Sequence, residues 1–162
     1  MLGLLGHLTQ PNPAQQSPVH SKLLALEQYW KDNCPADGLP GRSHFNAERM
    51  IPWLPHICIV DAIRAPLRFR FRLMGSGCIR YAGADHTGKW IDECVSEPDR
   101  NEVLTPFIEC IDGLGPVYKS GIRNMTGSAK SSVDRLFLPC TNDGMSTNLI
   151  VMGVYAMELS PA

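Results

Sequence analysis

Three histidines, His44, His56 and His86, stand where a small ligand could meet them. His86, in Asp85-His86-Thr87-Gly88, is the best placed to ligate a haem iron, although haem also needs a wide apolar cavity. The plainer alternative is a polar turn residue hydrogen-bonded to backbone. His56 is expected to end a helix and contact a carbonyl. Arg68, Arg70 and Arg72 recur at every second position. Guanidinium forks of this kind clamp a carboxylate, or they line a solvated edge that discourages strand addition. The edge reading suits Arg68 and Arg70. Arg72, beside Met74-Gly75 where the strand stops, is kept as a ligand-binding candidate. The aromatics Trp53, Tyr81, Trp90 and Phe107 either pack a core or wall a pocket for a small apolar or planar ligand.

Catalytic groups are harder to find. The six cysteines form no Cys-x-x-Cys, and no histidine sits at a finger-like offset from them. They read as small buried hydrophobes in a reducing cytosol. Cys78, in Gly77-Cys78-Ile79-Arg80, lacks the flanking asparagine and phenylalanine of a flavin-adduct cysteine. Neither Cys78 nor Cys140 has a histidine nearby in sequence to activate it. Asp92-Glu93 is as well explained by a solvated helix end as by acid–base work. Gly75-Ser76-Gly77 is too short for a phosphate loop, and no Gly-Lys-Ser/Thr follows. A net charge of −1 argues against a nucleic-acid surface. No segment resembles a secretory leader, and the longest apolar run, Leu149 to Met157, is too short to span a bilayer. These features favour a cytoplasmic binding protein without catalysis. An enzyme on an α+β scaffold is the alternative, which predicts a reactive thiol or a perturbed carboxylate. A scaffold with a filled core and strong partner binding is a third.

The elements that must hold these residues follow from periodicity. Residues 1–18, rich in Pro and Gln after an apolar start, read as a flexible tail and linker. A single domain is expected over 19–160. Residues 19–32 form an amphipathic helix with Leu23, Leu24, Leu26 and Trp30 on or near one face and Tyr29 beside them. Leu23, Leu26, Tyr29 and Trp30 are the interface candidates, balanced evenly between packing on the chain's own sheet and dimerising. Asn46 is expected to cap a short helix with Met50, Ile51 and Leu54 inward. Ile57–Val60 is a continuously apolar strand, and 61–66 a turn. Residues 67–74 alternate, with Phe69, Phe71 and Leu73 inward. Short helical segments are expected over 76–81 and 88–94. A longer helix over 99–113 carries Val103, Phe107, Ile108 and Ile111. Strands open at 115–119 and cover 132–140 and 148–157, with a small-residue hairpin tip over 125–131 and a turn at Asn142-Asp143-Gly144. Apolar strands belong mid-sheet and half-charged ones at edges. The result is a five-stranded antiparallel sheet of order 2-1-5-4-3. Helices from the middle of the chain cover one face, and the 19–32 helix, alone or with a second subunit, is the candidate for the other.

That element order resembles a PAS domain, an α+β fold. The matching pieces include Tyr29-Trp30, Leu54-Pro55-His56 and Phe69 through Gly75, then Gly83, Thr87-Gly88-Lys89 and Gly115-Pro116-Val117. Arg135-Leu136-Phe137-Leu138-Pro139 and Asp143-Gly144 complete the set. They are similar to a subfamily of short bacterial PAS proteins found mainly in alphaproteobacteria. The sequence departs from that subfamily at Ser43-His44-Phe45-Asn46 and at 126–130. The resemblance implies a sensory or protein-interaction module with a space between sheet and helices. It implies a homodimer and a signalling protein as partners, and no defined ligand. With almost the whole length spent on the sensor, output is expected to pass through another protein.

Overall fold

A computed structural model describes residues 20–124 and 130–159. The tail expected over 1–18 and residues 125–129 of the expected hairpin tip lie outside the described residues. Helix α1 (Ser21–Asp32) leads to strands β1 (Ile57–Ile63) and β2 (Arg68–Met74). Helices α2 (Ser76–Ala82) and α3 (Glu97–Gly113) follow, and then strands β3 (Val117–Asn124), β4 (Lys130–Cys140) and β5 (Leu149–Leu159). The strands form one antiparallel sheet of order β2-β1-β5-β4-β3, the expected order.

Strand alternation sorts the side chains into two layers. Cys58, Val60, Phe69, Phe71, Val133, Phe137, Ile150 and Met152 meet Cys78 and Ala82 of α2 and Val103, Phe107 and Ile111 of α3. On the opposite face, Ile57, Ile59, Leu136, Leu138, Leu149 and Val151 meet Leu23, Leu26 and Trp30 of α1, with Phe45, Met50 and Trp53 around them. β5 is central, so its residues serve both layers.

Gly153 sets how closely α1 approaches. A Cβ there would lie 2.7 Å from Leu23 Cδ2 and 2.9 Å from Leu26 Cδ2, inside van der Waals contact. Indole groups tie the helix down. Trp30 Nε1 donates to Pro139 O at 2.7 Å, and Trp53 Nε1 donates to Lys22 O at 2.8 Å. At the helix start, His20 Nδ1 accepts from Lys22 N. The same imidazole stacks on Tyr155, whose other side stacks on His56.

Of the two alternatives kept for the 19–32 helix, packing on the chain's own sheet is observed: Leu23, Leu26 and Trp30 are buried there and half-buried Tyr29 packs with them. Apolar burial was available within the chain and took them. Several expectations need correcting. Leu24 faces outward. Leu73 points to the α1 side. A bulge slips the register from Ile59↔Leu73 to Val60↔Phe71, which moves every later side chain to the other face. Met74 takes the inward place beside α2. Ile51 is 65% exposed and Ile108 also faces water. Asn46 follows a 3-10 turn at Arg42–Phe45, and its Oδ1 accepts from Arg49 N, so it caps a turn where a helix was expected. The 61–66 turn is shorter than expected, because β1 runs on to Ile63 and pairs with Arg68.

The outer edge of β2 is also not the open edge that its arginines suggested. Phe71 N donates to Lys89 O at 3.0 Å and Gly88 N donates to Phe71 O at 2.7 Å. Arg70 bridges to Trp90. The chain's own 88–90 segment therefore satisfies backbone groups that would otherwise invite another strand.

Candidate functional site

The six ligand-binding candidates do not converge. Tyr81, His86 and Phe107 belong to the layer between the sheet and α2/α3. Trp53 is in the α1 layer. Trp90 lies along the β2 edge, where the Arg68 guanidinium sits 4.2 Å from its ring centre. Arg68 also holds Asp92 through two hydrogen bonds, at 2.9 and 2.8 Å. Asp92-Glu93 is thus an ion-pair partner of β2, and the Arg68 bonds hold the Asp92 carboxyl below its ordinary range.

Arg72 occupies the bulge. Its Nη2 lies 2.7 Å from Asp61 Oδ1, and Arg70 Nη2 lies 3.3 Å from Asp61 Oδ2. Asp61 is buried and is the cross-strand partner of Arg70. Two half-exposed guanidiniums thus neutralise one buried carboxylate. The arrangement explains the charged alternation of β2 as an internal brace. Arg72 Nη1 also donates to Asn142 Oδ1 at 3.3 Å, which links β2 to the β4–β5 turn.

His86 has a different environment. It is 4% exposed and stacks at 6.3 Å on Phe71. Its backbone N donates to Met74 Sδ at 3.2 Å. Neither ring nitrogen has a hydrogen-bond partner among the described residues. Burial, then the nearby Lys89 charge, hold the imidazole below its usual pKa, which favours the neutral ring. The expected turn residue bonded to backbone is therefore a buried imidazole with both nitrogens bare. Such a group costs free energy until something bonds to it. His56 matches its expected place, ending a 3-10 turn with Nδ1 donating to Val154 O at 3.1 Å.

One residue escaped the sequence reading. Arg135 on β4 is 7% exposed and faces α2 and α3, on the parity of Val133 and Phe137. Its guanidinium carbon is 5.7 Å from the Phe137 ring centre, and its Nε has no hydrogen-bond partner. Burial pulls its pKa down to about 10, against the opposing influence of Tyr81 and Glu102. The signal was available: a cation between Val133 and Phe137 on the inward parity of the strand.

The aromatics of this layer form a connected set. Phe107 of α3 lies 5.3 Å from Phe69 and 5.0 Å, edge-on, from Phe137. Phe107 is thus a packing centre and the nearest aromatic of α3 to the Arg135 strand. Among the described residues no three or more His, Cys, Asp or Glu side chains come together as a metal site would need. No helix among them is long and apolar enough to cross a membrane.

A family model described as a PAS domain matches residues 19–156. No curated protein matches the sequence.

Proposed function

The chain belongs to the PAS domain family, whose members are generally sensory or regulatory modules, and from that membership we propose that it is a ligand-responsive regulator without catalysis. A small molecule would act in the layer between the sheet and α2/α3, and the output would be a change in protein–protein contact. The observation that carries this reading is the pair of buried polar side chains in that layer: His86, with both ring nitrogens unbonded, and Arg135, with Nε unbonded. An isolated buried polar group is destabilising, and a bound molecule that bonds to it removes the penalty. A ligand then shifts a conformational equilibrium by the difference in its affinity for two states.

Tyr81, His86 and Phe107 remain ligand-side candidates in this reading. Trp53, Trp90 and Arg72 act as braces for α1 and β2. Partner contact, with a second copy or a signalling protein, would use outward groups on the α1 side such as Leu24 and Ile51, both exposed. The six cysteines are free thiols, which supports a cytoplasmic place.

Native mass spectrometry of freshly purified protein, with an absorbance spectrum on the same sample, tests the reading. A bound small molecule, or a haem or flavin band, supports a ligand sensor. A clean apo mass that no added small molecule changes overturns the ligand part and leaves partner binding alone.

A further inference from the structure

Arg135 defines the chemistry that the α2/α3 layer asks for. β4 places it between Val133 and Phe137, both fully buried, and pairs it with Val154 of β5 and Lys119 of β3. Val133, Phe137 and Val154 are its apolar neighbours on the inward face, while Lys119 beside it is engaged by Glu109 of α3 at 2.9 Å. The protein offers the guanidinium a ring at 5.7 Å and leaves Nε unbonded. Tyr81 and the exposed Glu102 are the groups whose charges act on it. A guanidinium has five N–H donors in a planar fork that matches a carboxylate. Replacing a buried charge by an apolar side chain of similar volume is commonly neutral or stabilising. Stability alone thus gives no reason for a cation at this position.

We propose that Arg135 is the recognition residue for an organic carboxylate with an apolar body, the carboxylate meeting the guanidinium and the body lying beside Phe107 and Phe137. This rests on the ligand-sensor reading above and adds the class of the ligand. The charge-assisted bond would satisfy Nε. The apolar side of the surroundings, namely the T-shaped Phe107–Phe137 pair at 5.0 Å, Val133 and Val154, suits an apolar body.

The test compares octanoate with octanamide, its uncharged analogue of equal chain length, by isothermal titration calorimetry against wild type, Arg135→Met and Arg135→Lys. Arg135→Met removes a buried charge and keeps the bulk, so it is expected to fold, checked by circular dichroism and melting. Arg135→Lys keeps the cation without the fork and covers the case in which the methionine variant fails. Wild type should bind octanoate at least ~10-fold more tightly than octanamide, about 1.4 kcal/mol. Arg135→Met should lose that preference, and Arg135→Lys should retain part of it. Equal binding of the two probes by wild type, or unchanged octanoate binding by Arg135→Met, overturns the carboxylate assignment and leaves the ligand-sensor reading standing. Binding of neither probe overturns the assignment, while a ligand of another class found on the purified protein would still uphold that reading.

Discussion

Replacing Gly153 with valine sets two contributions of opposite sign against each other. Valine favours an extended backbone, and strand preferences span ~1 kcal/mol, so strand propensity alone makes Gly153→Val stabilising. The structure predicts the reverse. The first added carbon would sit 2.7 and 2.9 Å from the Leu23 and Leu26 methyls, roughly 1 Å inside comfortable carbon contact. Both leucines are fully buried, so the methyls have no open space to swing into. Overpacking costs about 1–3 kcal/mol, and three carbons at one position belong at the upper end. After the strand preference is subtracted, a net loss of roughly 2 kcal/mol is expected. Undocking α1 to escape the clash would expose Leu23 and Leu26, at about 1.5–3 kcal/mol each. The helix therefore stays on the sheet, displaced. Urea denaturation reads the stability, and hydrogen exchange of the α1 amides reads the displacement. Leu23→Ala in the same chain should recover part of the loss, so that the double variant is more stable than the summed single effects. A Gly153→Val protein as stable as wild type, with α1 protection unchanged, refutes the reasoning.

Three further outcomes follow from the same packing. Gly75→Ala should destabilise by about 3 kcal/mol or more, measured by urea midpoint, because the new Cβ meets backbone atoms that cannot rotate away: Leu54 O, and Pro55 O at 2.6 Å. The unstrained φ of −66° at Gly75 assigns that loss to contact. His86 is held below the ordinary 6.5, chiefly by burial, so the unfolded chain takes up its proton first as pH falls. The stability it contributes is complete above about pH 6.5 and declines as pH drops from there towards its folded pKa. His86→Leu should flatten that acid limb in melts recorded from pH 7 to 5, and an unchanged slope would show that the ring is not the titrating group. Burial pushes the Cys110 thiol up to about 12 and raises Cys58 and Cys140 as well. Iodoacetamide at pH 8 should label half-exposed Cys34 and Cys94 first. Rapid labelling of Cys58, Cys110 or Cys140 in folded protein would instead revive the enzyme reading.

What could be read in advance divides along physical lines. Strand order was legible because β5 is apolar on both faces, and such a strand must lie mid-sheet. The two-layer arrangement followed from the amphipathic 19–32 segment and the uncovered face opposite α3. Leu73 was misplaced because a bulge leaves no mark in the pattern Arg-Phe-Arg-Phe-Arg-Leu-Met: one inserted residue moves Met74 inward. The arginines of β2 looked like a solvated edge because their partners, Asp61, Asp92 and Glu93, are 9 or more residues away in sequence. Local alternation reports a face and says nothing of a distant carboxylate. His86 was singled out from its turn, but its bare nitrogens depend on what Phe71 and Met74 bring beside it. Arg135 could have been flagged by parity alone.

The same parity joins the two layers. Along β4, Arg135 and Phe137 face α3, while Leu136 and Leu138 face α1. Along β5, Met152 and Val154 alternate with Val151 and Gly153 in the same way. A strand cannot be displaced on one face and held still on the other, and close-packed interiors transmit such shifts. A carboxylate drawn to Arg135 would therefore move the floor on which α1 rests, at the strand whose Pro139 O holds the Trp30 indole at 2.7 Å. Octanoate at saturation should change the hydrogen exchange of α1 amides in wild type and leave it unchanged in Arg135→Met. Exchange altered only in α2 and α3 would confine the response to one layer and place the output surface there.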